Sequence, residues 1–245
     1  MKKISTLLLA AALLLPLSSC RFIHVNEDVL KDMEDSGIVF PGQGSGESIT
    51  ASDNIITRDQ VTGDFHSLVC NLPGDVNYTP GECAVSITAP DNVLEHVTIR
   101  NENGTLDIKS NLGRIRNLKK ISVNISSPVL ESVTFNGAVD FNAPEGITAL
   151  DFSAVVNGAG DMDINGLSAG KASVTVNGAG DANISKVDCD AIDISINGAG
   201  DAVIGGKARR ADLAISGAGD IDARELDCPD INTKVRGVGS VRKPK

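Results

Sequence analysis

Apolar and polar residues alternate in short runs that recur every 19 to 21 residues in the second half of the chain. Each run leads into one phrase, which reads Asn-Gly-Ala-Gly-Asp from Asn157, Asn177 and Asn197 and Ser-Gly-Ala-Gly-Asp from Ser216. The residues one and three positions before each phrase are apolar and alternate with residues such as Ser153. This period of two predicts a strand with one buried face.

A second strand is predicted after each phrase, because apolar residues alternate again, for example at Met162 and Ile164. The copies lie too close together for a crossover helix between them. Stacking each strand on its equivalent one copy later, at about 4.8 Å, satisfies the fixed period. The sequence therefore predicts an all-β fold, a parallel β-solenoid (β-helix) of roughly 20-residue coils that begins near residue 65.

Residues 76–125 depart from the repeat and predict antiparallel hairpins in the N-terminal part. One hairpin is expected from strands 76–79 and 83–87, and a second from strands 97–100 and 105–108 around Asn103-Gly104. We expect these pairs to cover the first coils, because an uncovered sheet edge invites association.

The repeated phrase itself predicts a turn and two stacked columns of side chains. The glycines supply the tight turn, and the asparagines are expected to form an amide ladder in the left-handed conformation that Asn and Gly tolerate. These turn positions are Asn157, Asn177, Asn197, Gly158, Gly178, Gly198 and Gly217.

A column of carboxylates, Asp161, Asp181, Asp201 and Asp220, is the sharpest chemical feature. Stacked at about 4.8 Å, neighbouring carboxylates repel by about 1 kcal/mol in water. Solvent, backbone N–H groups or bridging cations could relieve this, and hydrogen bonds are the simplest solution. The phrase resembles a calcium-binding nonapeptide, but its period and its Gly-Asp step differ, so we predict no metal and no cofactor.

The cysteines divide into three groups. Position eight before each phrase holds small residues throughout, namely Ala149, Ala169, Cys189, Ala208 and Cys228. This column predicts a crowded inward corner with two buried free thiols, since cysteines two coils apart, about 9.6 Å, are beyond disulfide reach. A disulfide between Cys70 and Cys83 remains open at this point, because Cys70 occupies an inward position of an early repeat copy.

The third group is Cys20 alone, at the end of an apparent secretory signal. Residues 1–19 combine two lysines with an apolar run and small residues, and the sequence at Cys20 resembles the lipobox of bacterial lipoproteins. We expect lipid on Cys20 to anchor the chain to a membrane of the cell envelope, and the outer membrane is the favoured location. The alternative is an ordinary secreted protein that is cleaved near this position. Residues 20–60 are then a tether, and residues 61–245 the folded domain.

Net charge and aromatic content argue against several classes of function. The chain has 22 Lys and Arg against 32 Asp and Glu, a formal net charge of −10, which argues against nucleic-acid binding. A basic C-terminal end, from Lys234 to Lys245, reads as a solvated terminus. With no Trp and one Tyr the chain lacks platforms for sugar rings, and no acid, base and ligand set converges, so we predict that it is not an enzyme.

The order of these elements is similar to that of a known family. Pro80-Gly81-Glu82, the strand 85–89, Asn103-Gly104-Thr105 and the serial glycine phrases resemble the head GIN domain family of putative auto-transporter adhesins over about residues 60–240. The resemblance implies a β-helical envelope lipoprotein and brings no catalytic residues.

The hypothesis from sequence is a non-catalytic, lipid-anchored module that binds an unknown protein or glycan partner through exposed positions such as Ser153, Thr175 and Ser195. A polysaccharide-active enzyme and a structural or signalling component of the envelope are the alternatives. Self-association into a homo-oligomer is open, because solenoid ends are sheet edges.

Overall fold

Residues 46–244 are described by a computed structural model, and they are mostly β-strand with one short helix, α1. No helix in this range has the length and apolar composition needed to cross a membrane. The elements are β1 (Ser48–Thr50), β2 (Ile55–Gln60), β3 (Ser67–Cys70), β4 (Gly74–Pro80), β5 (Ala84–Pro90), α1 (Asp91–Leu94), β6 (Val97–Glu102), β7 (Thr105–Ser110), β8 (Arg114–Arg116), β9 (Ser122–Ser127), β10 (Ser132–Ala143), β11 (Ile147–Thr148), β12 (Asp151–Ala159), β13 (Met162–Ile164), β14 (Leu167–Ala179), β15 (Ala182–Ala199), β16 (Ala202–Ala218), β17 (Ile221–Asp227), β18 (Asp230–Val238) and β19 (Val241–Arg242).

The predicted parallel solenoid is confirmed by the strand register. β12, β14, β15, β16 and β18 pair in parallel and in that order, so that each phrase lies directly over the previous one. Asn157 pairs with Asn177, and Asn177 with Asn197. Each coil therefore places chemically equivalent residues at one strand spacing, about 4.8 Å.

Each coil has three straight runs joined by corners. In the coil that contains β15, the runs are 182–184, 187–189 and 191–199, and every run pairs with its equivalent in the next coil. The pairing moves from Ile184 with Ile204 to Val187 with Gly206, so the next coil has one residue fewer at this corner. This missing residue explains why one spacing between phrases is 19 residues.

The core fills the space inside the three runs. The apolar residues predicted to point inward on the two strands that flank the first phrase, Ala154, Val156, Met162 and Ile164, are all at most 1% exposed. The pattern of alternate burial continues through β14, β15 and β16. Removal of these side chains from water is the main stabilising contribution to the coil stack.

At the last coil the inward prediction is wrong for two residues. A weaker copy of the phrase begins at Arg236, so the same alternation predicts that Val235 and Thr233, one and three positions earlier, point inward. Both residues are exposed, and Val235 has 41% of its surface accessible. Their strand, β18, pairs with β16 on one side, and no described strand pairs with its other side. The equivalent residues of earlier coils are buried because a further coil covers them.

The coil that comes first along the chain does not lie at the end of the stack. β3 and β4 form this coil and pair in parallel with β10 on one side. On the other side they pair in parallel with β7 and β9, which come later in the chain. The chain thus completes one coil, passes below it through residues 81–127, and returns above it at β10.

This detour makes one predicted hairpin wrong and the other correct. The expected pairing of 76–79 with 83–87 does not occur, because β9 lies between β4 and β5 and pairs with both. The second hairpin forms between β6 and β7, and its turn residues Asn103 and Gly104 have φ of 53° and 76°. Positive φ at both positions is the geometry that favours an Asn-Gly turn.

Antiparallel strands close the N-terminal end of the stack. β5 pairs with β9 and β2 with β5, while β6 pairs with β7. Arg58 on β2 donates from its Nη atoms to the carbonyl oxygens of Leu94 and Val97 at 2.8 and 2.9 Å, which ties β2 to α1. The strands β1 and β2 lie in residues that the sequence assigned to a tether, so the fold includes residues before position 61, while 1–45 lie outside the described range.

The chain turns later in each repeated phrase than the sequence predicted. Strand β14 continues through Gly178 and Ala179, and the corner follows at Gly180 and Asp181. Gly178 has φ of +144° and an added Cβ would lie 1.9 Å from the carbonyl oxygen of Gly158. Gly158, Gly198 and Gly217 show the same conformation and close approach.

The asparagines of the phrase do not adopt the expected left-handed conformation. The non-glycine residues with positive φ in the described range are Asn103, Asn117 and Lys186. Asn177 is extended because it still belongs to β14, and the glycine after it takes up the unusual backbone angle. Glycine is the residue that adopts this region without a steric penalty.

All four cysteines in the described range are free thiols. Cys70 and Cys83 are not bonded, and their sulfur atoms lie 3.9 Å from the carbonyl oxygens of Leu72 and Phe65 respectively. Burial raises the pKa of the Cys70 thiol to about 12, so it is an unreactive core group. Cys189 is buried as predicted, but Cys228 is partly exposed because the stack ends shortly above it.

We expect Gly178→Ala to lower the free energy of unfolding by about 2–4 kcal/mol, because the new Cβ meets a backbone oxygen at a positive φ. Urea denaturation followed by circular dichroism measures this change. Gly81→Ala is the matched control, since its Cβ would lie 3.8 Å from Ser126, an ordinary contact. Equal stability of the two variants would show that the coils do not approach as closely as described.

Candidate functional site

Two columns of polar side chains run along the solenoid, one on each side of the Gly-Ala-Gly segment. Both columns exist because coils of nearly equal length stack in register. We define the amide ladder as Asn71, Asn136, Asn157, Asn177 and Asn197, and the carboxylate ladder as Asp140, Asp161, Asp181, Asp201 and Asp220.

The amide ladder is a continuous chain of side-chain hydrogen bonds. The Nδ2 atom of each Asn donates to the Oδ1 atom of the Asn in the coil below, at 2.7 to 3.0 Å. The structure thus brings together the three asparagines grouped from sequence and adds Asn71 and Asn136 to them. A primary amide has two N–H donors and two acceptor lone pairs, so Asn157 and Asn177 keep one of each that the ladder does not use.

The carboxylate ladder bonds to the backbone of the next coil. The Oδ1 atom of Asp161 accepts the backbone N–H of Asp181 at 2.9 Å, and Asp181 and Asp201 accept the next Asp N–H at 2.8 and 2.7 Å. A hydrogen bond to the charged form offsets repulsion between stacked carboxylates. In residues 46–244, no group of three or more His, Cys, Asp or Glu is placed to hold a metal ion.

The top of the carboxylate ladder is closed by the last coil. Asp220 accepts the backbone N–H and the hydroxyl of Ser240 at 2.7 and 2.9 Å, and the guanidinium of Arg242 at 3.1 Å. These hydrogen bonds, those from Ser240 first, lower the pKa of Asp220 below its ordinary value. The ladder therefore acts as a structural device that ties each coil to the next.

One cluster near the first coil resembles a catalytic triad in composition but not in geometry. Ser67 Oγ lies 3.2 Å from His66 Nδ1, and Glu131 Oε2 lies 2.9 Å from the same nitrogen. A triad needs the acid on one ring nitrogen and the nucleophile on the other. With both groups at Nδ1, Glu131 cannot hold one ring nitrogen of this histidine while the other ring nitrogen takes the proton of Ser67.

The outward side of the longest run is a flat, polar surface, which we call the polar face. It consists of the outward positions of the parallel strands β10, β12, β14, β15, β16 and β18, and the amide ladder borders it. Thr175 and Ser195 are partly exposed there and Ser153 is exposed. The outward columns are Ser132, Ser153, Ser173, Asp193, Asp212 and Asn232, and Thr134, Val155, Thr175, Ser195, Ala214 and Lys234.

The polar face carries mostly small side chains and no aromatic platform. No aromatic residue occurs in its columns, and the single Tyr of the chain, Tyr78, is buried with its hydroxyl donating to the Ser127 carbonyl oxygen at 3.1 Å. Nine residues of strand at about 3.3 Å each, across the five spacings of about 4.8 Å that separate six strands, give a surface of roughly 700 Å². This is close to the area of about 800 Å² that one partner contributes to a typical protein interface.

A groove of about 810 Å³ lies at the N-terminal end, beside β2. The loop after β2, the loop before β5 and the end of β9 form its walls, and its charged lining residues are Asp59, Asp64 and Glu82. Sequence reasoning missed this groove, because its walls come from segments up to 69 residues apart, from Asp59 to Pro128, that no repeat connects. Asn71 and Asn136, which extend the amide ladder, could have been found from the sequence. They follow Cys70 and Phe135 in weaker early copies of the repeated phrase.

The fold and its ladders define a parallel β-solenoid protein whose repeated polar residues bind the coils to one another. The family model described as "Putative auto-transporter adhesin, head GIN domain" matches residues 64–243, and the chain belongs to this family. The resemblance inferred from the residues is thereby confirmed. No curated protein sequence matches the chain significantly.

Solved structures share this fold. A putative adhesin from Bacteroides fragilis NCTC 9343 is 23% identical, with 80% of this chain and 99% of that chain covered and a TM-score of 0.64. A putative adhesin from Parabacteroides distasonis ATCC 8503 is 20% identical, with 80% and 84% covered and a TM-score of 0.72. A putative lipid binding protein from the same organism is 17% identical, with 81% and 100% covered and a TM-score of 0.70.

We expect Asn177→Ala to destabilise the fold more than Asn197→Ala. The first change removes a donor and an acceptor of the amide ladder, while the second removes one hydrogen bond at the end of the column. At about 0.5–1.5 kcal/mol for each hydrogen bond, the difference between the two variants should be about 1 kcal/mol. Chemical denaturation measures this difference. An equal loss of unfolding free energy in the two variants would contradict the continuous amide ladder.

Acid should weaken the fold through Asp222. The Arg224 guanidinium, 2.6 Å away, lowers the pKa of Asp222 to about 2 from an ordinary value of 3.8. A lowered pKa means that the ionised carboxylate stabilises the fold above pH 3.8 and that this contribution is lost as the pH falls toward 2.

Denaturation midpoints measured across this range test the effect. Asp222→Asn should be less stable than the unsubstituted chain at neutral pH, and the difference should shrink as the pH falls below 3.8. Arg224→Gln should reproduce the same dependence. A difference that stays constant down to pH 2 would show that this ion pair is not responsible.

Proposed function

We propose that this chain is a non-catalytic module of the cell envelope, anchored by lipid on Cys20, which binds a protein or glycan partner through its polar face. The observation that carries the proposal is the polar face itself, a rigid surface of roughly 700 Å² built from in-register strands. Its rigidity lowers the entropy cost of binding, since few side chains need to be ordered.

The chemistry of the face favours hydrogen bonding over stacking. Ser153, Thr175 and Ser195 present hydroxyls, and Asn157 and Asn177 present the amide groups that the ladder leaves unused. These groups donate and accept hydrogen bonds at intervals of about 4.8 Å along the solenoid axis. An extended partner with its own regular polar groups fits such an arrangement.

The family name and the names of the similar structures support a surface role. The family model is described as a putative auto-transporter adhesin, and the similar structures are described as putative adhesins or as a putative lipid binding protein. A protein that contacts another cell or an envelope partner needs an anchor and an exposed, soluble head. Lipid on Cys20 supplies the first, and the folded residues 46–244 supply the second.

Catalysis is not part of the proposal. The carboxylates in the centre of the ladder accept backbone N–H groups of the next coil, which makes them poor candidates for general acids or bases. The histidine beside Ser67 has the wrong geometry for nucleophilic catalysis. Turnover of an anionic polysaccharide that Asp181→Asn abolishes would overturn this part of the proposal.

Two variants of one coil test the binding surface. A photo-crosslinking residue in place of Thr175 lies on the polar face, and the same residue in place of Ser168 lies on another run of the same coil. In intact envelopes we expect a discrete crosslinked partner from position 175 and little or none from position 168. Equal crosslinking from both positions would contradict the assignment of the polar face.

The anchor is tested separately. Cys20→Ser should move the chain from the detergent phase of a two-phase extraction into the aqueous phase and should prevent labelling by a radioactive fatty acid. Protease digestion of intact cells then reports whether the head faces outward. Full protection would exclude adhesion to another cell while leaving a partner within the envelope.

A further inference from the structure

The C-terminal end of the solenoid is an uncovered sheet edge. β18 pairs with β16 on one side, and within residues 46–244 no strand pairs with the other side. Val235 and Val238 on this strand are 41% and 78% exposed. Exposed apolar residues on an open edge strand mark a surface suited to pairing with another strand.

The charge of the outward columns changes at this last coil. Lys234 lies over Ala214 and Arg236 lies over Ser216, whereas the coils below present uncharged side chains at these two columns. Both side chains are exposed, and no ion pair is described for either. Apart from the exposed Asp230 at its start, the charged residues of this edge strand are therefore basic, although the whole chain has a net charge of −10.

The opposite end presents an edge of complementary character. β2 pairs with β5 on one side, and in the described range no strand pairs with its other side. Ile55 and Ile56 on this strand are 45% and 42% exposed. Arg58 uses its Nη atoms to bind backbone carbonyls, so Asp59 is the exposed charge of this edge strand that is free to contact a partner.

The groove beside β2 extends this acidic character. Asp59, Asp64 and Glu82 line it together with the exposed side chain of Val61, and its lining includes no Lys, Arg or His. All three carboxylates are exposed. The N-terminal edge thus offers apolar and acidic groups where the C-terminal edge offers apolar and basic ones.

We propose that the C-terminal edge binds the N-terminal edge and groove of a second copy of this chain, so that solenoids associate head to tail. This arrangement brings Lys234 and Arg236 of one copy toward Asp59 and Glu82 of the next. Pairing of two C-terminal edges would instead bring the basic residues of both copies together, and like charges opposite each other are unfavourable.

A head-to-tail contact uses two different surfaces and leaves one of each free, so it generates open chains of copies. This inference does not depend on the proposed partner or on the lipid anchor. Assembly of the chain and capture of a partner at position 175 are measured separately and fail separately.

Charge reversal with rescue tests the proposal on the full-length chain in detergent. One variant carries Lys234→Glu and Arg236→Glu at the basic edge, and the other carries Asp59→Lys and Glu82→Lys at the acidic edge. All four side chains are exposed, so each variant should fold, which circular dichroism checks. Lys207→Glu, at an exposed position in the middle of the stack, is the matched control.

Sedimentation velocity over a range of protein concentrations gives the result. We expect the unsubstituted chain and the control to form assemblies that exceed two copies as concentration rises, and each variant alone to associate roughly tenfold more weakly or worse. An equal mixture of the two variants should assemble again, because each reversed edge now complements the other variant.

Three results would overturn the proposal. The unsubstituted chain could remain a single copy at every concentration. The acidic-edge variant could associate as well as the unsubstituted chain, which would place the contact between two C-terminal edges. The mixture could stop at two copies or fail to assemble, which would show that the two edges do not recognise each other.

Discussion

Everything in this fold depends on parallel stacking of coils in register. Because each coil lies over an equivalent coil, every side chain lies over its own counterpart at about 4.8 Å. An apolar residue then meets another apolar residue inside, and a polar residue outside has to tolerate a copy of itself. Asn tolerates this through amide-to-amide hydrogen bonds, and Asp through a bond to the backbone N–H of the next Asp.

The same constraint explains the glycines and limits what the ladders can do. Neighbouring coils approach so closely at Gly178 that a methyl group would meet the carbonyl oxygen of Gly158, so this column excludes other residues. The Asp side chains are engaged in holding the coils together. The repeated motif thus has a structural role, and our proposal assigns binding to the polar face that the stacking creates.

The sequence was informative where residues repeat and uninformative where contacts are long-range. The period of about twenty residues predicted the coils and the inward residues Val156 and Ile164, since alternation within a coil is local. It could not reveal that β9 separates β4 from β5, because that pairing joins segments about 45 residues apart. The exposure of Val235 and the groove at Asp59 and Glu82 likewise depend on where the stack ends, which no local pattern encodes.

The central claim is that like residues stack directly on like, and nuclear magnetic resonance tests it most directly. The side-chain amide protons of Asn177 should give nuclear Overhauser effects to the amide protons of both Asn157 and Asn197, while Asn157 and Asn197, two coils apart, should give none to each other. Absence of the first two effects, or contacts between Asn157 and Asn197, would contradict the in-register solenoid.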